Sequence, residues 1–269
     1  MKAMLNGLSQ INVELTSMCD KHTLCGFCGH QDDAINGAVK GDISYRLLTR
    51  IERQLSRGIV VQMHRDGEPT AYPLLKEALL LFRRYITSIV THGENLIKKA
   101  DQIIGHCTSL TVSVFNGDPD IDLQIANVKQ FLELKGQQPP MVNIKIVGTM
   151  PPEREARYAA FGVPIIRRLL HVPDGNYKYI KRTPTVPEHG ICLDFLSHPS
   201  VDWRGRFFIC NRLDTRDEGL LGDLNSSSLE QLWNSPKRLE WLEAHKRGRR
   251  DEAAPLCRTC VFYGVPSEA

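Results

Sequence analysis

No run of apolar residues in this chain approaches the ~20 needed to cross a bilayer; the longest dense patch is ALLLF at 78–82. The opening MKAMLNGLSQINV lacks the basic end and continuous apolar stretch of a secretory signal. Strong charge of either sign is also missing. A formal net charge of +3 over 269 residues gives no reason by itself to expect nucleic acid as a partner. The basic stretch KRGRR at 246–250 reads as a solvated loop. Repeats and low-complexity segments are absent. Together these absences exclude a helical membrane span and predict a cytoplasmic protein with no membrane partner, in a compartment where thiols stay reduced.

Cysteine, by contrast, is plentiful, with eight residues. In a reducing compartment closely spaced pairs read as metal sites before they read as disulfides. Cys19, Cys25 and Cys28 fall within ELTSMCDKHTLCGFCGH, directly after a short apolar strand pattern. Three thiols so close can hold three corners of a metal cluster and leave the fourth open for chemistry. Structural zinc normally wants four ligands; His22 or His30 would have to supply the last, and spacing alone leaves both readings open. Cys192, Cys210, Cys257 and Cys260 form a second set near the C-terminus, enough to close a site. Cys107, in IIGHCTSL, reads as a small buried hydrophobe.

From residue 10 to about 171 short apolar runs alternate with amphipathic ones. Strands are expected at 11–15, 59–64, 88–91, 110–115, 142–148 and 164–170, with helices at 43–57, 74–86, 94–104, 121–135 and 152–160. Asp42 is the expected cap of the first helix. Repeated strand–helix steps predict a parallel sheet whose sites lie at the C-terminal strand ends, and the cysteine trio follows the first strand. After residue 171 the texture becomes proline-rich, then short and strand-like (DWRGRFFIC), with one further helix expected at 228–245. The division predicted is a barrel domain over 1–185 and a small cluster-bound domain over 186–269.

The trio, followed by DGEP (Asp66–Pro69) after the second strand and THG (Thr91–Gly93) after the third, resembles the radical S-adenosylmethionine enzymes. Their usual spacing is C-x3-C-x2-C with an aromatic before the last cysteine; Phe27 fills that place, while the first gap here is C-x5-C. The resemblance implies an α/β fold, a partial (β/α)6 TIM-like barrel with a small C-terminal iron–sulfur domain. It also implies a [4Fe–4S] cluster held by Cys19, Cys25 and Cys28 that cleaves S-adenosylmethionine to a 5′-deoxyadenosyl radical. Cofactor contacts are then expected from Phe27, Gly67, Glu68, Pro69, Thr91, Ser113 and Lys145, with Glu68 receiving the methionine ammonium. The order Cys192, WRGRFF, Cys210, LGDL, SLEQLWNS, C-x2-C resembles the SPASM and shorter twitch type of auxiliary-cluster region. Cys192, Cys210, Cys257 and Cys260 would then ligate a second [4Fe–4S] cluster.

Few residues precede the first strand, so no leader-recognition domain is expected there and a small polar substrate is the first expectation. Arg167, Arg168 and His171 are candidate substrate contacts. The reaction would be hydrogen abstraction leading to oxidation or rearrangement, an oxidoreductase or isomerase supplied by an external electron donor such as flavodoxin or ferredoxin. A second reading is radical modification of a peptide or of a nucleobase in nucleic acid, with the 246–250 loop, Arg204, Arg206 and Arg212 meeting phosphates. A third is a non-catalytic zinc-binding module.

Overall fold

The computed structural model describes residues 5–21, 25, 39–168, 191–212, 214, 216–258 and 260. All six expected strands form: β1 (Gln10–Val13), β2 (Val60–Gln62), β3 (Ile86–Thr91), β4 (Ser109–Val114), β5 (Met141–Val147) and β6 (Ile165–Arg168). They pair in parallel, each with the next. The connecting helices are α1 (Tyr45–Gln54), α2 (Leu75–Leu81), α3 (Ala100–Ile103), α4 (Ile121–Lys135) and α5 (Pro152–Ala159). This is the partial (β/α)6 arrangement.

Local chemistry sets the element ends. Ser44, rather than Asp42, caps α1 by accepting from the Leu47 amide; Asp42 instead bridges to Thr16. Leu47, Leu48 and Ile51 share the buried face of α1. The helix expected over 94–104 is reduced to the single turn of α3.

Beyond residue 190 lie α6 (Leu193–Ser197), β7 (Ser200–Val201), β8 (Arg206–Phe208), β9 (Leu220–Asp223), α7 (Leu229–Trp233), α8 (Pro236–Lys246) and α9 (Pro255–Arg258). Strand β7 adds in parallel to β1, and β8 and β9 follow antiparallel, so one nine-stranded sheet runs through both regions. The helix expected over 228–245 is two helices. Ser235 caps the second and Pro236 begins it; proline suits a first turn and cannot continue a preceding helix.

Two apolar cores result. The larger collects the helix-facing side of the sheet with α1, α2 and α4, and extends into the C-terminal region through Val201, Phe207, Leu224, Leu229 and Trp233. The smaller packs Phe195, Ile209, Trp241 and Leu256 around Cys192, Cys210 and Cys257. No helix among the described residues is long and apolar enough to cross a membrane.

Candidate active site

Strand register decides which side chains line the barrel. In-register pairs place Gln10 and Asn12 of β1, Gln62 of β2, Ser88 of β3, Ser109, Thr111 and Ser113 of β4, and Asn143 and Lys145 of β5 on one face, which Arg168 of β6 shares. The opposite face, with Ile11, Val61, Ile89, Leu110, Val112, Val142, Ile144 and Ile146, is fully or nearly buried against the helices. The lumen face is therefore polar, and much of it keeps some solvent access. A network lines its floor: the Gln10 amide donates to Asn12 (3.0 Å) and Gln62 (2.8 Å), the Asn12 amide donates to the His64 carbonyl (3.1 Å), and Gln62 contacts His64 Nδ1 (2.9 Å).

At the C-terminal strand ends three loops meet. The Glu68 amide donates to the Met18 carbonyl (2.8 Å), tying DGEP to the cysteine loop. Gly67 permits this approach: a Cβ there would lie 1.9 Å from the Thr16 carbonyl oxygen. Glu68 is 3% exposed. One of its carboxylate oxygens accepts from the Thr70 amide (3.0 Å) and hydroxyl (2.6 Å), the other from the His92 amide (3.0 Å). Glu68 thus braces DGEP against THG, and Pro69 is buried beside it. Thr91 is buried, and its hydroxyl accepts from the Gly93 amide (3.0 Å), closing the THG turn; Gly93 takes φ +90. Gln124 of α4, with no exposure, supports the turn from behind by donating to the His92 (2.6 Å) and Ser113 (3.2 Å) carbonyls.

Cys19 and Cys25 both sit half-buried, and Cys28 and Phe27 lie outside the described residues, as does His171. Donor atoms of Cys19, Asp20 and His92 gather within 4.8 Å. The His92 imidazole contacts Asp20 at 2.6 Å and Glu68 at 3.4 Å. Burial acts to lower the His92 pKa, but Asp20, Cys19 and Glu68 outweigh it and push the value up to about 10. His92 is therefore engaged with carboxylates, and it was not singled out in sequence because nothing in a THG turn marks its middle residue as a ligand neighbour. The extended Cys19–Cys25 gap is fastened by Lys21. Its ammonium, 1% exposed, reaches Glu94 (2.7 Å), Asp118 (2.8 Å) and Asp120 (3.6 Å) in the loops after β3 and β4.

Ser113 faces the lumen in register with Lys145. Burial and the neighbouring Arg168 lower the Lys145 pKa to about 7, and burial with Arg212 lowers Arg168 to about 10. His64 is lowered as well, first by burial and then by Lys145 and Arg168. Arg167 takes the other face of β6, pairs with Glu155 of α5 and does not share the lumen with Arg168. An open groove of about 860 Å³ along α1, closed on its other side by Asn225 and Ser228, lies outside the barrel and away from these strand ends.

In the C-terminal region Cys192, Cys210 and Cys257 are buried and Cys260 half-buried, with no disulfide among the described residues. Burial comes first in raising the Cys210 and Cys257 thiol pKa values, and Cys192 adds to both and Cys260 to Cys257; Cys192, Cys210 and Cys257 belong to one apolar cluster. The Arg212 amide donates to Cys210 Sγ (3.2 Å). Three thiols in one apolar cluster, one already receiving an N–H, with Cys260 acting on Cys257, suit a cysteine-ligated iron–sulfur cluster. Most of the cations invoked for phosphates have partners within the protein. Arg206 pairs with Asp202 and Asp217 (both 2.6 Å), Arg212 with Asp194 (2.8 Å), Lys246 with Glu243 (2.5 Å) and Arg249 with Glu252 (2.9 Å). Arg204 donates to the Val39 carbonyl (3.0 Å).

Residues 192–261 match SPASM, an iron–sulfur cluster-binding domain. Among solved structures, BtrN in complex with AdoMet and 2-DOIA is 15% identical with a TM-score of 0.60, covering 97% of this chain and 94% of its own. SuiB of Streptococcus suis bound to S-adenosylmethionine is 16% identical with a TM-score of 0.65, covering 96% of this chain and 73% of its own. SuiB has also been solved bound to the precursor peptide SuiA, a structure 14% identical with a TM-score of 0.61 that covers 85% of this chain and 65% of its own. No curated protein sequence gives a significant match.

Proposed function

We propose, for a chain whose residues 192–261 form a SPASM domain on the fold of the radical S-adenosylmethionine enzymes, that it abstracts hydrogen from a small polar substrate in the barrel lumen. The observation that carries this reading is the convergence of three loops. Cys19, the DGEP turn and the THG turn are tied together at the ends of β1, β2 and β3 by the Glu68–Met18 and His92–Glu68 bonds.

Cys19, Cys25 and Cys28 would hold a [4Fe–4S] cluster, and with S-adenosylmethionine bound that group supplies a 5′-deoxyadenosyl radical by one-electron cleavage of the sulfonium. The chain's own residues shape the surroundings. Gly67 lets the DGEP backbone approach, Glu68 holds that loop to THG, and Pro69 and Thr91 stiffen the two turns. Ser113 and Lys145 present a hydroxyl and a cation from adjacent strands toward the lumen. Cys192, Cys210, Cys257 and Cys260 would hold a second cluster, whose closed ligation suits one-electron transfer and so favours a net oxidation. Flavodoxin or ferredoxin fits the role of external donor.

The test is anaerobic incubation of reconstituted protein with reductant and S-adenosylmethionine. Wild type is expected to form 5′-deoxyadenosine and Cys25→Ala to form none; equal yields would remove the trio from the chemistry. A second reading, action on a peptide, is favoured by the likeness to SuiB with its bound precursor peptide.

A further inference from the structure

We propose that the substrate carries a carboxylate or phosphate group that docks between Lys145 and Arg168 on the lumen wall. This deepens the proposed radical function and rests on it. The two side chains project from adjacent strands, which lie about 4.8 Å apart, onto the same face, offset by two residues along the sheet. Lys145 is half-buried and Arg168 exposed, so a solute entering the lumen can reach both.

Among the described residues neither makes an ion pair with a carboxylate. The carboxylate that acts on Arg168 is Asp194, which is already committed to Arg212 (2.8 Å) and His198 (2.9 Å). Lys145 is coupled to Arg168 and to no carboxylate. The other acids near the strand ends are also engaged: Asp66 pairs with Arg65 (3.0 Å), and Glu68 is bonded within its own loops. Two cationic side chains on one face, with no uncommitted carboxylate beside them among the described residues, repel each other, and a negative group entering between them would relieve that repulsion. Even where Lys145 meets its carboxylate, S-adenosylmethionine does not balance both cations. It brings a sulfonium and an ammonium against a single carboxylate, and so adds positive charge to the chamber.

The probes are glycerol phosphate, succinate and uncharged myo-inositol, titrated by calorimetry into anaerobically reconstituted protein saturated with S-adenosylmethionine. One of the two anions is expected to bind and myo-inositol not to; which anion binds separates phosphate from carboxylate. Lys145→Gln and Arg168→Gln are each expected to weaken that binding about tenfold or more, and Arg168→Lys to recover most of it. Arg167→Gln, on the opposite face of the same strand, is expected to bind as wild type. Iron content and thermal midpoint of each variant report its folding. Binding of neither anion, or unchanged binding in the Lys145→Gln/Arg168→Gln double variant, would overturn the proposal. So would loss of S-adenosylmethionine affinity in Lys145→Gln without loss of anion affinity. Parallel measurement of 5′-deoxyadenosine separates the two claims: anion binding without it sinks the radical reading, and its formation without anion discrimination sinks the docking site.

Discussion

Gly67 is the residue where one added methyl group meets the hardest wall. A Cβ at 1.9 Å from a backbone oxygen has no flexible neighbour to displace, so Gly67→Ala must shift the DGEP turn away from the cysteine loop. Thermal unfolding should show a loss of about 1–3 kcal/mol, together with weaker S-adenosylmethionine binding. Glu14 gives a second prediction. Its carboxylate accepts from the Asp66 (3.2 Å) and Trp203 (3.1 Å) amides, but burial first, and then Asp66, push its pKa up to about 8. An acid whose folded pKa exceeds its unfolded value binds more protons folded than unfolded, so stability falls as pH rises from about 4.5 to about 8. Glu14→Gln should flatten that slope in pH-dependent denaturation. Some of this was legible in sequence: Lys145 alternates inward with Asn143, and the pattern alone says so. The inward choice of Arg168 over Arg167 was not, because two adjacent arginines at a strand end are sorted only by register with β5.

Among the elements, the cysteine loop departs most from its expected pattern, and Lys21 gives that departure a physical role. The lengthened gap between Cys19 and Cys25 contains a buried ammonium, which joins β1 to the loops after β3 and β4 through side chains 2% and 1% exposed at the Lys21–Asp118 contact. Lys21→Met would strand Asp118 without its cation, and removal of one partner of a buried pair costs about 3–5 kcal/mol. Chemical denaturation should show that loss, and the Lys21→Met/Asp118→Asn double variant should recover part of it. Burial opposes the Lys21 charge, but Asp118 and Glu94 hold its pKa above the ordinary lysine value. The contribution of the Lys21 charge is therefore present at neutral pH and is lost as alkali titrates the ammonium. Partners so far apart in sequence leave no local signal, whereas the β1–β6 order was readable from hydrophobic alternation. The break between α7 and α8 was readable as well, from Ser235 and Pro236, had local capping been weighed above the longer apolar period.

At the scale of the whole molecule, one sheet joins a polar-lined barrel to a small cysteine-centred core. The barrel's larger core runs across the predicted boundary near residue 186, since β7 pairs with β1 and Trp233 packs with the barrel cluster. Composition marked where the texture changed but not that the sheet continues through it. The two proposed cluster sites predict about eight irons per reconstituted chain, and about four in the Cys257→Ala/Cys260→Ala double variant by metal analysis; four in the wild type would contradict the two-site proposal. The central claim concerns the open site. Its most direct test is electron paramagnetic resonance of reduced Cys257→Ala/Cys260→Ala protein, which leaves the barrel trio as the one set with three cysteine ligands. The account predicts an iron–sulfur signal that changes on addition of S-adenosylmethionine and is lost when Cys25→Ala is added. A zinc-loaded, signal-free protein, or a signal indifferent to S-adenosylmethionine, would contradict it.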